Sequence, residues 1–217
     1  MSLYPWDQNA GKPSPEQMLN PTPVRRINTL TQPAAEPVDA ASMATVLKVS
    51  SGDEGDYLTA LLVSSRAWCE NYTGRFFITH DAELWLDFWP PSGEIEVPCS
   101  PITVIGDVST WGDDDIEQIM DPASYQTDKI SEPGRVALRD GIDVPSGLRR
   151  INAVRVKFTA GWPDAASVPE NIKTAIRSMA AEVYLARGNQ VDARDFVRNS
   201  VASKDCLMLL EPYKVLR

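Results

Sequence analysis

The side chains that could do chemistry in this chain are few, and their spacing matters more than their number. His80 is the single histidine, so neither an H-E-x-x-H helix nor any paired-imidazole metal site can be built. A Ser–His–Asp arrangement would have to use His80, and no G-x-S-x-G accompanies it. The residue falls at a helix-to-strand junction and reads as an ordinary surface or junction side chain. Cys69, Cys99 and Cys206 are odd in number, far apart and free of any C-x-x-C spacing. That pattern argues against a disulfide framework and a cysteine zinc site, and fits a reducing compartment. Neither G-x-x-x-x-G-K-[ST] nor G-x-G-x-x-G occurs. Asp113, Asp114 and Asp115 after Gly112 offer oxygen ligands for a hard cation such as calcium, but lack the D-x-[DN]-x-[DN]-G order. A solvated hairpin tip accounts for them more simply. Carboxylates on strands beside Trp85, Trp89 and Trp111 would suit a sugar-processing cleft if two of them converged as acid and base. Strand tryptophans more often serve a core or an interface. No catalytic residue, cofactor or metal site is therefore expected.

Charge carries more information. The 217 residues hold 21 Lys and Arg against 30 Asp and Glu, a formal charge of −9. A protein whose main task is gripping nucleic-acid phosphates should carry a basic surplus instead. The charge is segregated: residues 1–80 carry −2, residues 81–143 carry −12, and residues 144–217 carry +5. Two solvated faces would account for this; so would a polar subunit that meets a partner, or a copy of itself, head to tail. No uncharged apolar run approaches the roughly 18 residues of a membrane span, and no secretory signal pattern opens the chain.

The elements that must position these residues follow from periodicity. Residues 1–37 read as a Pro-rich extended arm, because proline fixes φ and lacks the N–H of a helix interior or central strand. Tyr4 and Trp6 are apolar exceptions that could anchor the arm on a partner. A first helix is predicted over 38–47. The polar stretch 50–55 should break it, and a second helix over 56–73 places Leu58, Leu61, Leu62, Ser65, Trp68, Cys69 and Tyr72 on one buried stripe. Gly74 follows as a left-handed stop. The period then shifts to two across 82–159, with strands expected near 82–88, 94–97, 103–109, 116–120, 124–127, 135–138 and 153–159. This predicts an antiparallel meander or small barrel. A third helix over 168–187 has capping-box spacing between Ser167 and Glu170, and a stripe of Ile172, Ile176, Met179 and Val183. Residues 201–217 form a C-terminal interaction segment after a polar connection. The class is α+β: three helices in a small bundle, with an inserted β part over 82–159 and a principal domain over 38–200.

Four stretches resemble one family. Ala67-Trp68-Cys69-Glu70-Asn71-Tyr72-Thr73-Gly74-Arg75 is similar to the helix end of phage head–tail connector proteins. So are Ala153 to Trp162, with its closing Ala160-Gly161-Trp162, and Val168-Pro169-Glu170-Asn171-Ile172-Lys173 before a long helix. Leu209-Leu210-Glu211-Pro212-Tyr213-Lys214 resembles the family's closing L-x-P-Y-[RK]. The resemblance spans about residues 36–217.

It implies a non-enzymatic virion protein at the head–tail junction, assembled in the host cytoplasm. The subunit would be an adaptor, or head-completion protein, binding below the portal in a ring of about twelve copies. Such a ring lengthens the DNA channel and offers a platform to the next neck or tail protein. DNA would pass through without specific binding, since negative walls repel phosphates. Asp113, Asp114 and Asp115 are then expected on the channel or a subunit interface. Arg194, Arg198, Lys204, Leu209, Tyr213, Lys214 and Arg217 are expected on the portal. A different neck or tail-completion protein, or a carbohydrate-active enzyme, are the competing readings.

Overall fold

The computed structural model describes residues 25–49, 51–186 and 204–215. Asp39 opens the first helix, α1 (Ala40–Leu47), by accepting the Ser42 N–H at 2.7 Å, and Lys48 closes it with a positive φ. Helix α2 (Ser51–Thr73) starts five residues earlier than 56, the expected position. Gly52 and Gly55 are carried inside it at about 1 kcal/mol each relative to alanine. Burial of Leu58, Leu61, Leu62 and Cys69 farther along the same helix outweighs that cost. Gly74 ends the helix with φ +70°, and its N–H reaches the Glu70 carbonyl at 2.8 Å.

Helix α3 (Glu170–Ala186) begins without the expected capping box. Ser167 turns backwards, its N–H and hydroxyl both donating to Asp164 at 2.7 and 2.8 Å. Glu170 lies along the helix instead and pairs with Arg177 at 2.6 Å. Ile172, Ile176 and Met179 are buried as expected, but Val183 is exposed and Tyr184 takes its place. The 3.6-residue period carries the stripe round the helix by that point. A last helix, α4 (Lys204–Leu210), packs on α3. The four helices among the described residues share one core that includes Met43, Leu58, Phe77, Ile172, Cys206 and Leu210.

The β part is two antiparallel sheets around a second core. Strands β1 (Arg25–Thr29), β2 (His80–Leu86), β8 (Val154–Ala160), β4 (Ile102–Trp111) and β5 (Glu117–Ile119) form the larger sheet in that order. Strands β3 (Glu94–Val97), β7 (Gly134–Leu138) and β6 (Tyr125–Asp128) form the smaller. Leu84, Leu86, Val108, Val154, Val156 and Phe158 from the first meet Ile95, Val97, Tyr125 and Val136 from the second.

Two expectations change here. The order is not a meander, because β8 inserts between β2 and β4. Its alternate residues Val154, Val156, Phe158 and Ala160 are all buried, which suits the centre of a sheet. Part of the arm, in turn, is extended but built into the sheet: Arg25–Thr29 pairs with β2 in the register Arg26↔Trp85 and Asn28↔Glu83. Prolines 21, 23, 33 and 37 flank this stretch but spare residues 24–32, leaving its N–H groups free for a ladder.

Candidate functional site

The two cores meet at a joint to which three of the four resembling stretches contribute. Arg66, nearly fully buried on α2, bonds to Glu36 at 2.7 Å and Glu70 at 2.6 Å. Glu70 also accepts the Phe77 N–H at 2.7 Å, which pins the chain entering the sheets. Burial holds the Glu70 carboxyl above its usual range despite Arg66. Two residues past the helix end, Arg75 forms a two-pronged pair with Glu132 and donates its Nε–H to the Tyr213 carbonyl. The Arg75 guanidinium keeps Glu132 below the ordinary carboxylate range. The Val215 N–H adds a bond to the Thr73 carbonyl at 2.9 Å, and Lys214 lies 4.9 Å over the Tyr72 ring. The Trp162 carbonyl accepts from Thr79, and its ring sits 6.2 Å from Phe77. The motifs therefore do structural work, joining helices to sheets.

His80 opens β2 at that joint and is buried, not on the surface as one of the two expected readings had it. Its Nδ1 lies 2.6 Å from the Ile78 carbonyl and its ring 4.4 Å from Phe76. Burial pushes its pKa below the ordinary value. Cys69, expected in the core, is fully buried against Cys206, a residue the sequence placed in an interaction segment.

The strand tryptophans part company. Trp89 enters the core. Trp85 and Trp111 lie on the outer face of the larger sheet, their rings 5.0 Å apart. The Arg155 guanidinium sits over both, at 5.4 and 5.1 Å, and Arg149 covers Trp111 at 4.8 Å. Arg155 also pairs with Glu83 at 3.5 Å and with Glu117. The carboxylates that could have served a sugar are thus tied to one arginine, and guanidinium groups occupy the indole faces. This is a cross-strand stack rather than an acid facing a base.

Asp113, Asp114 and Asp115 occupy the exposed β4–β5 turn. Asp115, at φ 59°, pairs with Arg149 at 3.3 Å, and Asp114 accepts the Ile116 N–H at 3.1 Å. Among the described residues no three His, Cys, Asp or Glu side chains converge as a metal site. The C-terminal set divides. Lys204 and Lys214 are exposed, whereas Leu209 and Tyr213 are partly buried against the helical core. The segment is thus part of the fold and not a free tail. A helix of seven residues cannot form a core alone, but it completes one that α2 and α3 leave open. Tyr4, Trp6, Arg194, Arg198 and Arg217 lie outside the described residues.

Sequence reasoning passed over several exposed apolar side chains: Met208 on α4, Ile116 and Ile119 beside the acidic turn, and Ile130 in the β6–β7 turn. The apolar type was visible in each case; the exposure was not. It also passed over Arg26, which makes no ion pair among the described residues.

No protein-family model and no curated protein matches the chain. Solved structures do. A chain from the neck of an empty GTA particle, computed with C6 symmetry, superposes with a TM-score of 0.72 at 18% identity, covering 88% of this chain and 96% of that one. A chain from the virion of a native gene transfer agent particle gives 0.69 at 18% identity over the same shares. A third, from the neck of a native particle computed with C12 symmetry, gives 0.64 at 17% identity. At these identities the likeness is one of fold: this chain has the α+β architecture of those neck and virion chains, over nearly the whole of each.

Proposed function

We propose that the protein is a structural subunit of the neck of a tailed phage or phage-like particle: the adaptor ring below the portal. The observation that carries this reading is the fold shared with gene transfer agent neck chains, at a TM-score of 0.72 over 96% of that chain. Those neck structures were computed with sixfold and twelvefold symmetry, which accords with a ring of about twelve copies around the DNA channel. The chemistry of the chain supports the reading too. Among the described residues, the ion pairs of Arg66, Arg75 and Arg155 join elements of the fold.

In this role the ring lengthens the channel, passes DNA without gripping it, and receives the next neck or tail protein. The acidic turn at Asp113, Asp114 and Asp115 faces the channel or a neighbouring copy. The exposed side of α4, with Lys204 and Met208, docks on the portal together with Lys214 just beyond it, joined by Arg194, Arg198 and Arg217. The protein resides in the virion after assembly in the host cytoplasm. Electron microscopy of particle necks bearing a tagged copy tests this. Density for the tag in a ring directly beneath the portal supports the adaptor role. Tag density confined to the tail end of the neck, or absent from necks, overturns it.

A further inference from the structure

The larger sheet ends in two unlike edges. On one side is β1, all five residues exposed; on the other is β5, all three exposed. Among the described residues neither edge has a second strand beside it. Long exposed edges invite pairing with another chain unless something covers them. Their side chains are complementary. Strand β1 carries Arg25 and Arg26. Arg25 is engaged by Glu96 of the smaller sheet at 2.8 Å, which leaves Arg26. Strand β5 follows Asp113, Asp114, Asp115 and Ile116 and starts at Glu117, with no Lys or Arg in residues 112–128; Arg155 engages Glu117 and Arg149 engages Asp115, while Asp113 and Asp114 make no ion pair among the described residues. Each edge also exposes an aliphatic group: Ile27 is 42% exposed, Ile116 59% and Ile119 65%.

Direction decides how such edges can meet. Every pairing in this sheet is antiparallel, and there are five strands, so β1 and β5 run the same way. The register also carries one unbroken row across the outer face: Arg26, Trp85, Arg155, Ser109 and Ile119. Arg26 and Ile119 are the two ends of that row and share a face.

We propose that β1 of one copy adds in parallel to β5 of the next, so that the larger sheet continues from subunit to subunit. Parallel addition sets the N-terminal ends of the two strands together. Arg26 then lies beside Glu117 and the acidic turn, and Asn28 beside Ile119, with the outer face continuous. Antiparallel addition of these two edges would turn one copy's outer face inward and carry the arginines away from the acids. A contact between two different edges is heterologous, and repeats of it close into a ring where the rotation permits. The inference rests on the ring reading above and gives that ring its subunit contact. It also moves the cationic partner of the acidic block from the C-terminal third to the N-terminal arm. Of the described cations in residues 144–217, Arg149, Arg155, Lys173 and Arg177 are already paired within the chain.

The test uses the full-length chain with Asn28→Cys, Ile119→Cys, or both, treated with a short bismaleimide, alone and bound to the portal ring of its own particle. Cys69, Cys99 and Cys206 are buried and give the background in the unsubstituted chain. The double variant should yield a ladder of covalent multimers, and a mixture of the two single variants only dimers. Dimers from one single variant alone would mean that like edges pair about a twofold, which overturns the proposal. Rings seen by electron microscopy without a ladder would overturn the edge contact and leave the ring reading standing. A ladder without closed rings would support the edge contact and remove the ring. Neither ladder nor ring would remove both. Independently, Arg26→Glu should weaken assembly by roughly tenfold or more while its melting temperature stays that of the parent. Unchanged assembly would count against the pairing.

Discussion

Single residues at the joint carry strain or burial that their types alone do not announce. Gly161 has φ +111°, and a Cβ there would run into the Ile78 carbonyl and the Thr79 nitrogen. Both the conformation and the space exclude a side chain, so Gly161→Ala should cost about 2–4 kcal/mol in denaturant unfolding. Gly55, with open space around it inside α2, gives the contrast. Gly55→Ala should stabilise by about 0.4–1 kcal/mol. His80 has a pH consequence. Its pKa is lowered from 6.5, chiefly by burial and then by Arg66, with the Ile78 carbonyl, Glu36 and Asp81 opposing. The unfolded chain therefore takes up a proton near pH 6.5 that the folded chain refuses. Stability from this source is complete above that pH and falls as pH drops toward the lowered folded value. His80→Gln should flatten this slope in urea midpoints measured between pH 7.5 and 5. An unchanged slope would assign it to another group, but not to Glu70, whose raised carboxyl adds stability as pH falls toward its ordinary value.

At the level of elements, α4 is where the expected and observed structures differ most. A portal-binding tail could be removed without harm to the fold, but α4 buries Cys206 and Leu210 completely. Leu210→Ala should cost about 2–5 kcal/mol, as for other buried leucines, and deletion of residues 204–217 should unfold or loosen the helical layer. Circular dichroism and a thermal melt distinguish this from a simple loss of attachment. The outward side is different. Met208 is 73% exposed, so Met208→Glu should leave the melting temperature within a few degrees of the parent. If the α4 surface meets the portal, the same change should weaken attachment by roughly tenfold. Helix positions were legible in the chain because apolar stripes and caps act locally. The start of α2 was misplaced because packing along its later turns overrode two local glycines.

For the molecule as a whole, the net charge says less than its placement. The −12 of residues 81–143 is met in part inside the subunit, by Arg75, Arg149 and Arg155 on Glu132, Asp115, Glu83 and Glu117. Among the described residues, Asp113 and Asp114 at the β4–β5 turn make no ion pair, and neither do Asp81, Asp87, Asp107, Asp121, Asp140 and Asp143 elsewhere in the block. Charge that closes a contact between copies is screened by salt, whereas the apolar burial of the two cores is not. If the proposed ring forms, its assembly should weaken as ionic strength rises from about 50 to 500 mM, with no matching fall in the unfolding midpoint. Light scattering and denaturant titrations across that range separate the two.

The amino-acid sequence by itself determined the class, α+β, and most of the strand and helix positions. Periods of 3.6 and 2, prolines, glycines and caps are local, and they are read within a few residues of where they act. It also located three stretches, around Glu70–Arg75, Trp162 and Tyr213–Val215, that form the joint. Only the tertiary structure decided which strands are neighbours, that β8 enters the centre of a sheet and β1 its edge, and that α4 belongs to the core. It alone paired Arg155 with two carboxylates and left Arg26 without a partner among the described residues. Those outcomes depend on contacts between residues 30 to more than 130 positions apart. Spacing along a chain does not encode them; the packing of whole faces against one another does.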